Sequence, residues 1–255
     1  MKFNIVHIPE VESTNTHALN LYNAQKLKEG DIIFTYNQLQ GRGQAANDWE
    51  SQKGKNLTVS IVLEPTMINA SDQFIITQLV SLSIYDTLFT YLPSIDLKIK
   101  WPNDIYYGNN KLGGVLVQNI IAGNDISASI IGIGININQD VFMSDAPNPI
   151  SLKLITGNEY DIETILDELA NAISKNYELM NDIAGSNVFK DSYMSKLYHY
   201  NSFSAFKDKD GIFTGKIIDI DEIGRLVIED NFGIPRSYMF KEVEFIDSGN
   251  FGRLL

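Results

Sequence analysis

The sequence predicts an α+β protein in two parts, a domain over residues 1–200 with a mixed or antiparallel sheet and helices, then a small β-barrel over residues 201–255. Three observations lead there. Strand-like runs between residues 97 and 138 follow one another across short turns, so they form a meander and not alternating βαβ units. Two long stretches, 71–92 and 161–180, carry apolar residues at helical spacing. Beyond residue 200 the runs shorten and the turn signals "DKDG", "DEIG" and "NFG" interrupt them.

In chain order, residues 3–8 read as a short strand. "STNTHALNLYNAQKL" follows as a helix, with Ser13 or Thr14 as N-cap and Ala18, Leu21, Tyr22 and Leu27 near one face. "DIIFTY" (31–36) and "NLTVSIVLEP" (56–65) are strands by their β-branched and aromatic content. Residues 37–56 between them show no apolar period, and connections of that length are usually functional or mobile. A buried amphipathic helix starts at Ser71 and carries Phe74, Ile75, Leu79, Leu82 and Tyr85. "LKIKW", "DIYY", "KLGGVLVQNII" and "ISASIIGIGININ" make the meander. Helices are expected over 161–180 and 187–199, and "SFSAF", "GIFTGKIIDI", "GRLVIED", "SYMF" and "VEFI" are the strands of the barrel.

Hydrophobic residues make up 44% of the 255, enough for a real core. The formal net charge of −12 argues against a general nucleic-acid or anionic-membrane binder, while leaving room for a small basic pocket. There is no cysteine, which excludes disulfides and thiolate chemistry. The opening "MKFNIVHIPE" has no signal-peptide core, and no run approaches the ~18 apolar residues of a membrane span. A soluble, cytoplasmic protein is expected.

Three polar constellations stand out. In "GRGQAANDW" (41–49), Gly41 and Gly43 allow backbone N–H groups to converge on an anion, and Arg42 offers a planar fork for phosphate or carboxylate. The alternative is an ordinary flexible hairpin with a stray arginine. In "KWPNDIYYGNNKLGG" (100–114), Asp104 opens one strand and Lys111 the returning one, so both belong near one end of a hairpin. Gly113 and Gly114 leave room for a flat ligand, a carboxylate suits Mg²⁺ with phosphates, and a lysine suits a carboxylate or phosphate. The alternative is a surface hairpin with a chance salt bridge. "STN" (13–15) opens a helix, where free N–H groups bind anions or are simply capped. His7, His17 and His199 lack metal-ligand spacing. "IIGIGININ" (130–138) reads as a core strand, since no helix follows it as a dinucleotide loop requires.

Taken together, "STN", "NQLQGRGQAANDW", "GKNLTVSIVL", "KWPNDIYYGNNKLGGVLVQN" and "IIGIGININ" resemble, in order and spacing, the biotin protein ligases, or biotin–[acetyl-CoA-carboxylase] ligases. The resemblance covers residues 3 to 200, with a plausible match in the C-terminal barrel. It implies a core like that of class II aminoacyl-tRNA synthetases with a small SH3-like β-barrel. It implies that biotin and MgATP yield biotinyl-5′-AMP, and that a lysine of a biotin carboxyl carrier protein then takes the biotinyl group. By matching position, Ser13, Thr14, Asn15 and Gln38 hold biotin's ring. Gly41, Arg42, Gly43 and Gln44 fold over the ligand, Trp49 packs the closed loop, Lys111 holds carboxylate and phosphate, and Gly114 admits the ligand. Arg42, Lys111 and Asp104 are the expected catalytic residues, and Asp104 with Asn136 would place the metal and phosphates.

Two departures from the family pattern matter. The loop of the family often reads Gly-Arg-Gly-Arg followed by glycine and another basic residue, whereas Gln44, Ala46 and Asn47 stand here. Phosphate neutralisation then falls on Arg42, Lys111 and Mg²⁺. No DNA-binding helix-turn-helix precedes "FNIVHIPE", so DNA binding is not expected, in line with the acidic charge. Relatives that are monomers and homodimers leave the oligomeric state open. A lipoate–protein ligase with the same adenylation chemistry and a non-catalytic biotin sensor are the competing readings.

Overall fold

The computed structural model describes residues 1–44, 47–144, 148–182 and 187–246. Strand β1 (Asn4–His7) leads through helix α1 (Thr14–Asn23) to β2 (Asp31–Thr35). A two-stranded ribbon follows, β3 (Gly41–Arg42) against β4 (Asp48–Trp49), and then β5 (Leu57–Leu63). Helix α2 (Phe74–Tyr91) precedes the expected meander, β6 (Leu97–Lys100), β7 (Asp104–Tyr107), β8 (Asn110–Ala122) and β9 (Asp125–Ile135). Helices α3 (Leu152–Thr156), α4 (Ile162–Asp182) and α5 (Val188–Ser195) complete this part.

Seven strands form one mixed sheet in the order β1-β2-β5-β9-β8-β7-β6. β1 runs parallel to β2 and the other neighbours are antiparallel. β2 and β5 are buried along their whole length, which is why their sequences are apolar without strong alternation. Alternate residues still divide the two faces. Ile33, Val62 and Ile130 close on Ala18 of α1, while Ile32, Ile61 and Ile131 join a larger cluster with Leu79 of α2 and Leu169 of α4. Each such side chain contributes roughly 1.5–3 kcal/mol when fully buried, so this cluster and not the scattered surface ion pairs holds the domain together.

α2 differs from its expected amphipathic character. It starts at Phe74, after a 3-10 turn over Ala70–Asp72, and Gln78, Ser81, Ser83 and Thr87 are buried along with its apolar residues. The hydroxyls make this tolerable: Ser83 Oγ donates to Leu79 O at 2.9 Å, Thr87 Oγ1 to Ser83 O at 2.8 Å, and Asn176 Nδ2 of α4 donates to Ser83 Oγ at 2.9 Å. α3 was not foreseen because five residues are too few to show a period. It is defined by its ends, Ser151 Oγ accepting from Leu154 N at 3.1 Å and Gly157 closing it at φ +78°.

The C-terminal part is an antiparallel sheet of β10 (Phe203–Asp208), β11 (Gly211–Ile220), β12 (Leu226–Asp230), β13 (Pro235–Tyr238) and β14 (Glu244–Ile246), in the order β13-β12-β11-β10-β14. The last nine residues of the expected barrel, 247–255, lie outside the described residues. The sheet docks on the first part through specific contacts. Trp101 Nε1 donates to Gly224 O at 2.9 Å, Tyr200 forms a parallel bridge with Ile217, and Lys190 Nζ pairs with Asp219 Oδ1 at 2.7 Å. No helix among the described residues is long and apolar enough to cross a membrane.

The turn between β6 and β7 is pinned from behind. Tyr193 of α5 is fully buried and its hydroxyl donates to Pro102 O at 2.8 Å. Burial, helped by the nearby Asp104 carboxylate, pushes the Tyr193 phenol well above its ordinary range, so it stays a donor. Asn103 Nδ2 donates to Val115 O and Asn103 O accepts from Val115 N at 3.0 Å. Replacing Tyr193 with Phe leaves the Pro102 carbonyl buried without that donor. The expected loss is about 1–3 kcal/mol, read as a lower urea midpoint with an unchanged slope.

Candidate active site

The strand register builds the site. Lys100 pairs with Asp104, Asp104 with Gly114, Gly114 with Gly134, and Gly134 with Thr58, so one row crosses five strands on a single face. Along β9 the same face carries Ile130, Gly132 and Gly134 in succession. Ile130 packs on α1, a Cβ at Gly132 would lie 2.9 Å from Asn15 Nδ2, and one at Gly134 would lie 2.7 Å from Trp49 Nε1. The two glycines are therefore places where side chains from the helix start and from the ribbon reach the sheet floor.

Above this floor is a cavity of about 300 Å³. Ser13, Thr14, Asn15 and Gln38 form one end of it. Ser13 is the N-cap of α1, its side chain accepting from Thr16 N, as simple capping predicts. Its neighbours do more. Gln38 Oε1 accepts from Thr14 N at 2.9 Å and from Thr14 Oγ1 at 3.1 Å, and Ser60 Oγ donates to Thr14 Oγ1 at 2.9 Å. Asn15 Nδ2 donates to Leu116 O at 3.1 Å, while its Oδ1 is buried without a partner. Gln44 Oε1 and Trp49 Nε1 are likewise buried and unpartnered. Such groups are costly unless something else satisfies them, and all three belong to residues lining the cavity.

The ribbon covers the cavity from the side. Arg42, Gly43, Gln44, Asn47, Asp48 and Trp49 all contribute to its wall. The loop between its strands includes Ala45 and Ala46, which lie outside the described residues, so the family departure at Ala46 does as well. Gly41 does not line the cavity. It lets the ribbon close on its own edge, since a Cβ there would lie 2.7 Å from Gln38 Nε2.

Lys111 and Asp104 meet as the hairpin implies, Nζ to Oδ1 at 2.7 Å, although they are not register partners. A bulge between Ile105 and Tyr106 places Lys111 opposite Tyr106, and its side chain runs back over Gly114 to reach Asp104. Both side chains are about a quarter exposed, 28% and 25%, so the pair adds at most ~1 kcal/mol to stability. Lys111 Nζ also lies 5.6 Å from the centroid of the Trp49 ring. Gly113, unlike Gly114, is absent from the wall, since it packs against Gly134 O and Ile135 of β9.

Asn136, like Gly41, is an expected ligand residue that does not line the cavity. It follows the end of β9 and its Nδ2 donates to Ile150 O at 3.0 Å, although its Oδ1 is unpartnered. Among the described residues no group of three or more His, Asp or Glu forms a cation cage. Asp104 remains as a single hard oxygen donor, which suits a Mg²⁺ that arrives already held by nucleotide phosphates.

Several lining residues went unassigned in the sequence. Lys100 stands with its ammonium 4.5 Å from the Tyr106 ring centroid and 5.0 Å from that of Phe245. Phe240, Val243, Glu244 and Phe245 bring the C-terminal sheet to the cavity. The "KW" at the start of "KWPNDIYYGNNKLGG" is a signal for the first, while nothing local marks the second group.

A profile of the biotin/lipoate A/B protein ligase family matches residues 8–136, just over half of the chain. The chain belongs to that family. Among proteins similar to this family member, the bifunctional ligase/repressor BirA of Bacillus subtilis (strain 168) is 26% identical over 243 residues, covering 92% of this chain and 72% of that protein. The biotin–[acetyl-CoA-carboxylase] ligase of Paracoccus denitrificans is 27% identical over 248 residues, 91% of this chain and 98% of that one. The biotin protein ligase from Aquifex aeolicus, solved in complex with biotin and ATP, matches with a TM-score of 0.78 at 26% identity, over 96% of this chain and 99% of that one.

In this biotin/lipoate ligase the close fit of Trp49 over Gly134 is testable without ligand. Gly134→Ala should leave the denaturation midpoint within about 1 kcal/mol of wild type, because a strand accepts alanine. The ring must lift, so Trp49 should become more accessible to iodide quenching. Unchanged quenching would mean that the ring does not rest there.

Proposed function

We propose that this chain is an ATP-dependent biotin protein ligase that modifies a lysine of a biotin carboxyl carrier protein. The observation that carries it is the convergence of Arg42, from the ribbon, and Lys111, from β8, on one cavity whose floor is kept bare by Gly114 and Gly134. Two similar proteins named biotin ligases, from Paracoccus denitrificans and Aquifex aeolicus, match over 91% and 96% of the chain, which favours biotin over lipoate within the family.

In the first step biotin's carboxylate oxygen attacks the α-phosphorus of ATP and the bond to pyrophosphate breaks. No base is needed, because the carboxylate is already ionised. Two anions must approach, and negative charge builds on the phosphorus oxygens. Fixed cations offset both, and such preorganised groups are the strongest levers a site has. Lys111 takes the carboxylate and phosphate from the rigid strand, and Arg42 closes on the phosphate from the ribbon. Magnesium bound with the nucleotide would neutralise phosphate charge, and Asp104 is the side-chain oxygen that would hold it. Asn15 and Gln38, the latter held by Thr14, offer biotin's ring their remaining amide N–H donors and the unpartnered Asn15 Oδ1. The closed ribbon excludes water from the mixed anhydride. In the second step the carrier's amine nitrogen attacks the acyl carbon, AMP departs with the bond electrons, and the amine gives up a proton.

The synthetase-like nature of the core and the closure of the C-terminal strands into an SH3-like barrel belong to the same proposal. A non-catalytic sensor is disfavoured by the Lys111–Asp104 pair, which contributes too little stability to be kept as a fold element.

Incubation with biotin, MgATP and an acceptor carrier domain should raise the carrier's mass by one biotinyl group. Lys111→Ala should keep the fold and lose about 10²–10³ in biotin-dependent pyrophosphate release. Near-normal turnover of that variant would remove Lys111 from its role. With ATP present, biotin and not lipoate should raise the melting temperature, since a ligand that binds only the native state stabilises it by mass action.

A further inference from the structure

Glu50, which follows Trp49 directly, takes no part in the chemistry above. Its carboxylate is nonetheless heavily engaged. Met143 N donates to it at 2.9 and 3.0 Å, Ser144 N at 2.7 Å, and Gln139 Nε2 at 3.0 Å. Partial burial works against the ionised form, but these donors outweigh it and hold the carboxyl below its usual range. All these donors are neutral N–H groups, so the contact is a grip on the 139–144 backbone and not a surface ion pair.

The gripped segment is anchored at both ends. Gln139 is fully buried, and its Oε1 accepts from Gln52 N at 3.0 Å and Asn56 Nδ2 at 2.5 Å. Asn56 Oδ1 in turn accepts from Ile137 N at 3.1 Å, just past β9. Farther on, Asn148 O accepts from Lys111 N at 2.8 Å, and Ile150 N donates to Lys111 O at 2.9 Å. Among the described residues apolar packing holds this stretch only at the partly buried Phe142, since Val141 and Met143 are 63% and 84% exposed. The Glu50 carboxylate ties its Met143–Ser144 end to the chain just past the ribbon.

We propose that Glu50 is a positioning residue that couples the ribbon bearing Arg42 and Trp49 to residues 139–144. The seat of the ribbon over the cavity and the hold on these residues then depend on a single carboxylate. The coupling concerns the free protein, while its consequence for catalysis rests on the ligase reading.

Hydrogen exchange followed by mass spectrometry on the unliganded full chain tests it. Glu50→Ala should speed exchange about tenfold both in peptides covering 40–50 and in those covering 139–144, with 57–63 unchanged. Glu50→Gln keeps one acceptor oxygen and should fall between. Faster exchange confined to 139–144, or in neither region, overturns the proposal. If the alanine variant also loosens 57–63, the glutamine variant decides by the same two regions. In a turnover assay, Glu50→Ala should release the adenylate about tenfold faster while slowing its formation less. A wild type that forms no adenylate would sink the ligase reading and leave the exchange result to stand alone.

Discussion

The site depends on the register of the central sheet. Side chains alternate with a strict period of two, so a slip of one residue in β8 against β9 would send Gly114 to the core face and could set Val115 beside Gly134 beneath the ligand. The register is held by what lies on the far face, where Ile131, Ile133, Ile135 and Val115 join the main cluster. The chemistry of one face is thus guaranteed by the packing of the other. A cavity assembled on such a floor can hold its polar groups in place without each of them being individually stable.

The electrostatics divide into rigid and movable parts. Lys111 and Asp104 sit on paired strands behind a turn clamped by Tyr193 and Asn103, so their positions are paid for by the fold. Arg42 stands on a ribbon of two residue pairs that owes its place to a few contacts, among them the Trp49 ring on Gly134. A site that must admit two substrates and then shield a reactive product needs this division. A wholly rigid cage would block entry, and a wholly mobile one would lose the preorganisation that makes fixed charge effective.

Much of this was legible in the sequence, for identifiable reasons. The meander was readable because "GNN" and "AGND" are strong turn signals, and the Lys111–Asp104 meeting followed from hairpin geometry. The residues of "STN" and "GRGQ" pointed to a site only through the family resemblance, since alone they read equally as a helix cap and a flexible hairpin; they line the cavity apart from Gly41. Other features depend on distant partners. Gly132 and Gly134 looked like core-strand glycines, and their use emerges only when Asn15 and Trp49 arrive from residues over eighty positions away. The burial of Gln78, Ser81 and Ser83 beside the apolar residues of α2 is set by α4 and the sheet together, which no local period reveals. Asn136 matched its motif in type and spacing, but the end of β9 and the carbonyl of Ile150 decide where its amide points.

The C-terminal sheet supplies Phe240, Val243, Glu244 and Phe245 to the cavity wall, opposite residues carried by the first two hundred positions. Any molecule that touches both sides becomes a bridge between the two sheets. Reciprocity then applies: the factor by which docking of the smaller sheet tightens the guest is the factor by which the guest tightens docking. Occupancy and the joining of the sheets are in this way two readings of one equilibrium, and a change at the Trp101–Gly224 seam, on the cavity wall itself, would be felt as a change in retention of the guest.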